Sequence, residues 1–406
     1  MKQNILMLFV LVVLVSCSSL KKIQLMKSGE VSNSNFMERI SFDYGAKLPI
    51  VEATINGHKG RFLFDTGAPN VLSKEFSQKL KLKKLAYGSV GDSGGNVLNN
   101  QAFIQIETIT LGKVTFKNTG AIIQDLGTSQ AMKCLNIDGI IGANLMRNAF
   151  WRIDYQNKKI EITDDLNRFE LTNEYSIINF KTKTQGTPLI DLDIDGIKVK
   201  NLTFDTGSNG QMSIPTSALQ ALQKTKTVSS TYSIGSTTYG VGGKAKNDTL
   251  FYGIIDTIKI GNLNLEKKII KFSTHSDNIG NKYFENYNVV LDWKNEKIYM
   301  KELQNYQHDS LIDFGFGIDW QDDGIYIGSI YTNSDATNNL QIGDKILKIN
   351  NQEFKNLSND TICITFKNND WDYEKQDSII ITVMRNDKTH EFKLNKKQLL
   401  PVAISD

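Results

Sequence analysis

The stretch Gly60–Ser73, "GRFLFDTGAPNVLS", is answered later in the chain by Lys200–Ser213, "KNLTFDTGSNGQMS". Each sets Phe-Asp-Thr-Gly behind a short apolar run and ahead of a turn of small residues. Upstream of each, "IVEATINGHKG" and "LIDLDIDGIKVK" read as strand, turn, strand, with Asn56-Gly57 and Asp195-Gly196 at the turns. Asp65 and Asp205 therefore each end an apolar strand. A single copy would be no more than a strand running into a turn; two in matching settings point to a pair that meets.

A second pair of blocks repeats as well. Ile140–Ile162, "IIGANLMRNAFWRIDYQNKKIEI", lies without gaps on Asn278–Met300, "NIGNKYFENYNVVLDWKNEKIYM". Asp154 matches Asp292, Asn157 matches Asn295, and Lys159-Ile160 match Lys297-Ile298. The offset is 138 residues here and 140 between the two aspartates. Two blocks in one order at nearly one offset indicate a duplicated domain of roughly 120–140 residues. Short alternating apolar runs broken by Asn-Gly, Asp-Gly and Gly-Gly make the architecture mainly β.

Two carboxylates brought together in a poorly hydrated site cannot both ionise, because like charges at close range repel; they share one proton. The ionised member then takes a proton from water while the protonated one donates to a carbonyl oxygen. Thr66 and Thr206 carry hydroxyls able to lock the facing loops, and Gly67 and Gly207 allow backbone to approach backbone. Ser208, unlike Ala68, is placed to hydrogen-bond its own aspartate. Asp205 is accordingly expected to hold the charge more of the time, within a pair that titrates as a unit.

On these residues the chain resembles the retropepsin- and pepsin-like aspartic peptidases over Phe42–Leu303. The likeness rests on Asp65-Thr66-Gly67-Ala68, on Asp205-Thr206-Gly207-Ser208, and on the later elements Ile140-Ile141-Gly142 and Asn278-Ile279-Gly280. Asn278 departs from the pattern, standing where an apolar residue is usual. The resemblance implies a single-chain, two-lobed fold, lobe 1 at 42–165 and lobe 2 at 170–303. It implies an Asp65/Asp205 dyad that activates water on a polypeptide substrate and needs no cofactor. It also implies two glycine-rich flaps over the substrate: "YGSVGDSGGN" with Tyr87 and Gly88, and "TTYGVGGKA" with Tyr239 and Gly240.

Inside the first flap, "GDSGG" copies the nucleophile signature of chymotrypsin-like proteases. Only His58 precedes Ser93, in a turn, and too little chain precedes it for a double barrel, so a triad is rejected. His58, His275, His308 and His390 are scattered without a metal-ligand spacing, so no metal is expected.

Beyond Met300 the repeat ends and an α+β unit follows at 308–402, which resembles a PDZ domain. Phe314-Gly315-Phe316-Gly317 is like the loop whose N–H groups hold a terminal carboxylate. The strand Ile318–Gln321 and a helix near Ser358 would flank a C-terminal peptide or a partner protein.

The first residues, "MKQNILMLFVLVVLVSC", read as a signal peptide at 1–17, and Leu14-Val15-Ser16-Cys17 resembles a lipobox. Lipidated Cys17 would anchor the chain to a membrane of the bacterial cell envelope, the outer membrane by the Ser18 that follows, with 18–41 as a tether. The remaining cysteines, Cys134 and Cys363, form neither a disulfide framework nor a metal spacing and are expected to be small core residues. A formal net charge of +3 over 406 residues calls for no nucleic acid. The sequence thus predicts an envelope aspartic endopeptidase with a PDZ module; the alternative is a non-catalytic envelope lipoprotein that uses the same folds only to hold peptides.

Overall fold

The computed structural model describes residues 19–92, 94–275, 277–303, 310–368 and 371–400. The signal segment with Cys17, as well as Ser93 and His308, lies outside the described residues.

Both expected hairpins form. Ile50–Ile55 pairs with His58–Asp65, and Pro188–Ile194 pairs with Ile197–Phe204. Their two-residue turns need positive φ at both positions, and Asn56 (46°), Gly57 (84°), Asp195 (48°) and Gly196 (88°) supply it. The strand carrying Asp65 runs parallel to Gly139–Gly142, with Asp65 opposite Gly142. In the second half Thr203 and Phe204 lie opposite Asn278 and Ile279, again in parallel. Each apolar-Gly element therefore lies beside the strand that delivers its aspartate.

A six-stranded antiparallel sheet joins the halves, in the order Met37–Asp43, Lys159–Thr163, Phe150–Asp154, Tyr287–Asp292, Lys297–Glu302, Ser176–Thr182. At its centre Arg152 faces Val290. Those two positions are equivalent in the repeat, so a pseudo-two-fold axis passes between them and the duplication becomes a symmetry of the sheet. Beneath it, one continuous core takes residues from both halves, including Phe64, Phe116 and Trp151 of the first and Phe204, Phe272 and Phe284 of the second, all fully buried. Each such side chain is worth about 1.5–3 kcal/mol on burial, so neither half is a closed unit without the other.

The stretch expected as a tether is instead part of the fold. Residues 19–27 form a helix, Glu30–Val31 pairs with Val114–Gln124, and Met37–Asp43 is the edge of the central sheet. Leu25 and Met26 supply the reason, since both are buried against Ala86, Phe103 and Ile122. Among the described residues no helix is long and apolar enough to cross a membrane.

The third unit has its own core around Trp320, Phe354, Ile362 and Ile381. It is also bound to both halves. Its strand Gly324–Tyr331 pairs with Ser230–Gly235 and so extends the second half's sheet. The short helix Gln130–Leu135 of the first half, the bridging helix below, packs against Phe316–Gln321 and against the groove helix, Asn359–Asn368. There Cys134 and Cys363 are joined as a disulfide across 229 residues of sequence, with Cα atoms 4.7 Å apart. This corrects the expectation of two core thiols. Sequence distance hid a pair that the docking of two domains creates.

Candidate active site

Thr66 and Thr206 fix the position of the aspartate loops. Thr66 Oγ1 donates to the Phe204 carbonyl (2.5 Å) and accepts from the Thr206 N–H (3.0 Å). Thr206 Oγ1 donates to the Phe64 carbonyl (2.8 Å) and accepts from the Thr66 N–H (3.0 Å). All four groups are buried, so this symmetric interlock satisfies backbone that water cannot reach. The glycines do more than let backbone meet backbone. A methyl on Gly67 would lie 2.6 Å from Asp205 Oδ1, and one on Gly207 would be closer still to Asp65. Each glycine makes room for the opposite half's carboxylate.

Asp65 and Asp205 are accordingly neighbours, 8% and 9% exposed and hydrogen-bonded to each other. Burial pushes the Asp65 carboxyl well above the ordinary carboxylate range, and repulsion from Asp205 adds to it; the N–H groups of Gly67 (2.7 Å) and Ala68 (3.1 Å) pull the other way. Burial also raises Asp205. It is opposed by Asn278 Nδ2 (2.9 Å from Oδ2), by the hydrogen bond from Asp65, by the Gly207 N–H (2.9 Å) and by the charge of Lys183. The expected donor Ser208 is not the one found. Its hydroxyl accepts from the Gly210 N–H (3.4 Å), and the side chain that reaches Asp205 is Asn278.

The aspartates floor a cavity of about 550 Å3, walled by apolar residues such as Val71, Phe103 and Ile122 and by polar ones such as Lys183 and Asn278. Met26, from the segment expected as a tether, completes one wall. Gln124 is 1% exposed, lines the same cavity, and its Oε1 accepts no hydrogen bond from any described residue. No group of metal-ligating side chains occurs among the described residues.

Both flap hairpins exist, and their tips meet over the cavity. Asp92 Oδ2 accepts from the Gly242 N–H (2.8 Å), and Thr128 Oγ1 donates to the Val241 carbonyl (3.0 Å). Asp92 is itself held by the N–H groups of Gly94 and Asn96. The "GDSGG" motif thus shapes a flap tip. The flap tyrosines differ from expectation, because neither lines the cavity. Tyr87 is 48% exposed on the outer side of its hairpin, next to Gly88. Tyr239, next to Gly240, turns to the third unit, donating to Asp319 Oδ1 (2.5 Å) and accepting from the Trp320 N–H (2.8 Å). Lys244 of the same flap also reaches Asp319 (2.7 Å).

That contact bears on the expected peptide groove. The strand Phe316–Gln321 and the groove helix do face a common partner, but it is the bridging helix of the same chain. Lys133 pairs with Asp322 (2.8 Å), and Gln130 reaches Asn359 (3.4 Å). In the loop Phe314–Gly317, Phe314 and Phe316 are core residues packed on Tyr373, and the Gly315 N–H is taken by Asp313 Oδ1 (2.7 Å). Gly317 lies close to Ser329 and to Thr237 of the second half. The groove and its carboxylate loop are therefore engaged from within.

Of the residues that shape this site, Asn278, Asp92, Lys183, Gln124 and Met26 were not assigned roles from sequence. Only Asn278 left a signal, as a polar residue where the repeat has Ile140.

Residues 51–145 match the family model of the aspartyl protease, and residues 305–369 match that of the PDZ domain. No curated protein matches the chain. Among solved structures it is similar to a retropepsin-like aspartic protease from Rickettsia conorii, at 26% identity over 33% of this chain and 92% of that one, with a TM-score of 0.22. The chain carries an aspartyl-protease domain over 51–145 and a PDZ domain over 305–369, on a mostly β fold.

Proposed function

We propose that this chain is an aspartic endopeptidase in which Asp65 and Asp205 together activate water against a peptide bond. The observation that carries the reading is the hydrogen-bonded, buried carboxyl pair at the floor of a peptide-sized cavity. Such a pair holds one proton and one negative charge, which is what an acid and a base acting in one step require.

The chemistry follows from that charge state. The ionised carboxylate takes a proton from water as the oxygen adds to the scissile carbonyl carbon, and the protonated carboxyl gives its proton to the carbonyl oxygen. The resulting gem-diol is neutral. As the C–N bond breaks, the newly protonated carboxyl passes its proton to the leaving nitrogen. The other carboxylate recovers a proton from the gem-diol hydroxyl, restoring the starting pair. Gln124 Oε1, buried without a partner at the cavity wall, would accept a substrate N–H. A peptide enters only after the Asp92–Gly242 contact between the flap tips parts, so opening is a step of the cycle.

The PDZ unit presents peptides or partners in this reading, once its groove is released from the bridging helix. Lipidation at Cys17 would hold the enzyme at the cell envelope. The decisive test is cleavage of a random peptide library by the chain without its signal segment, beside Asp65→Asn and Asp205→Asn. Cleavage by the parent that is lost in both variants supports the dyad. Cleavage that survives either substitution refutes it.

A further inference from the structure

The halves are related by a pseudo-two-fold axis, and a perfectly symmetric pair of aspartates would have no reason to keep its proton on one member. Their surroundings are not symmetric. Asp65 receives both of its N–H donors, from Gly67 and Ala68, on a single oxygen, Oδ1. Asp205 receives Gly207 on Oδ1 and Asn278 on Oδ2. The side-chain donor has no counterpart in the first half, because the repeat position of Asn278 is held there by Ile140, opposite Leu63 in the parallel pairing.

Resting on the dyad reading above, we propose that Asn278 is the positioning residue that breaks this symmetry. Its Nδ2 fixes Asp205 as the ionised member, the base toward water, and leaves the shared proton on Asp65. A carboxylate with donors on both oxygens is satisfied as an anion, whereas Asp65 keeps Oδ2 clear of backbone donors and can carry a proton toward its neighbour. Backbone pins the amide in place. The Thr203 N–H bonds the carbonyl of Asp277, the residue before Asn278, at 3.0 Å, and the Asp205 N–H bonds the carbonyl of Ile279, the residue after it, at 3.0 Å.

Charged groups reach the pair from several elements. Lys183, from the turn before Pro188–Ile194, favours the anion at Asp205 and so acts in the same sense as Asn278. Asp277 lines the cavity too and is itself pushed toward the protonated form by burial, and it is not among the groups acting on Asp205. His275 and Asp92 line the cavity as well, but neither is among the groups acting on Asp205. Apart from Asp65, its partner in the pair, two groups outside its own loop favour the anion at Asp205, and of these Asn278 is the one that touches it directly.

The test reads the proton directly, with or without turnover. Phenyl glycidyl ether alkylates carboxylate ions, and diazoacetyl-norleucine methyl ester esterifies protonated carboxyls. Each is applied to the folded full chain, and the modified peptide is identified by mass. In the wild type the epoxide is expected on Asp205 and the diazo ester on Asp65, each with a preference on the order of tenfold, the weight of one charge-assisted hydrogen bond. Asn278→Ile should bring the two sites to near parity, and Asn278→Ile combined with Ile140→Asn should reverse them. In the pH profile of kcat/KM, Asn278→Ile should move the acidic limb to higher pH, a shift that a merely structural residue would not produce. Epoxide on Asp65 in the wild type, or an unchanged pattern in folded Asn278→Ile, overturns the proposal. Absence of cleavage by the wild type counts instead against the peptidase reading, and the labelling still decides where the proton sits. If Asn278→Ile does not fold, the wild-type pattern and Asn278→Ser, which shortens the side chain away from Oδ2, carry the same decision.

Discussion

Replacing Thr66 by Val keeps the shape of the side chain and removes its hydroxyl. The Phe204 carbonyl and the Thr206 N–H then lose their partners at a site where Thr66, Thr206 and Phe204 are 0% exposed. Leaving a buried polar group unsatisfied costs about 1–3 kcal/mol, so two give roughly 2–6 kcal/mol. The added methyl returns up to about 0.8 kcal/mol of burial, which leaves a net loss of about 1–5 kcal/mol. At about 2–4 °C per kcal/mol for a unit of this size, the calorimetric transition of the two-lobed body should fall by roughly 2–20 °C. Thr66→Ser keeps both bonds and should lose no more than about 1 kcal/mol. Thr206→Val should match Thr66→Val, because its two bonds are the symmetry mates of the first pair. A Thr66→Val protein that melts within about 1 °C of wild type would show that the interlock does not hold the halves together. Unequal losses from the two valines would refute the symmetry on which the estimate rests.

Gly207→Ala should lower kcat/KM by at least ~100-fold with the circular dichroism spectrum intact, since the methyl collides with Asp65 and drives the carboxyls apart; a variant with near-normal activity contradicts the close approach. The pair also predicts a pH dependence of stability. Both carboxyls stand above their ordinary 3.8, so the folded state binds more protons than the unfolded one as pH rises past that value. Their contribution to stability is fully present below about pH 4 and is lost toward neutrality. Asp65→Asn should therefore melt higher than wild type near pH 7, with the gap closing toward about pH 4; a gap that widens on acidification is the contrary result. Finally, Cys134→Ser and Cys363→Ser remove a link that closes 229 residues of chain, worth at most about 5 kcal/mol by loop-closure entropy. Each should raise amide exchange in residues 130–135 and 359–368 and let the PDZ groove take C-terminal peptides that the oxidised chain refuses. Equal peptide binding by oxidised chain and serine variants would show that the bridging helix does not block the groove.

Much of the site was legible in sequence because duplication wrote it twice. One Asp-Thr-Gly has many explanations, whereas two at nearly the offset of a second repeated block have few. The hairpins were readable too, since Asn56-Gly57 and Asp195-Gly196 meet a strictly local demand for positive φ. The hydroxyl lock of Thr66 and Thr206 followed from chemistry that two facing loops require of any chain, whereas the room Gly67 and Gly207 leave for the opposite carboxylate shows only in the fold.

Partner choice between distant segments left no such local trace. Cys134 and Cys363 carry no spacing that announces a bond, because it exists only where the bridging helix docks on the groove helix. Tyr239 reads as a flap tyrosine from its own neighbours, yet Asp319 and the Trp320 N–H, eighty residues on, take its hydroxyl. Residues 19–27 look like a tether until Ala86, Phe103 and Ile122 offer Leu25 and Met26 a place to bury. Asn278 looked like a flaw in a motif, and its amide proved to be the donor at Asp205. Sequence fixes what each residue can offer: a turn, a strand face, a carboxyl at a strand end. Which donor meets which acceptor depends on desolvation and packing across the assembled lobes, and these arise only in the tertiary structure.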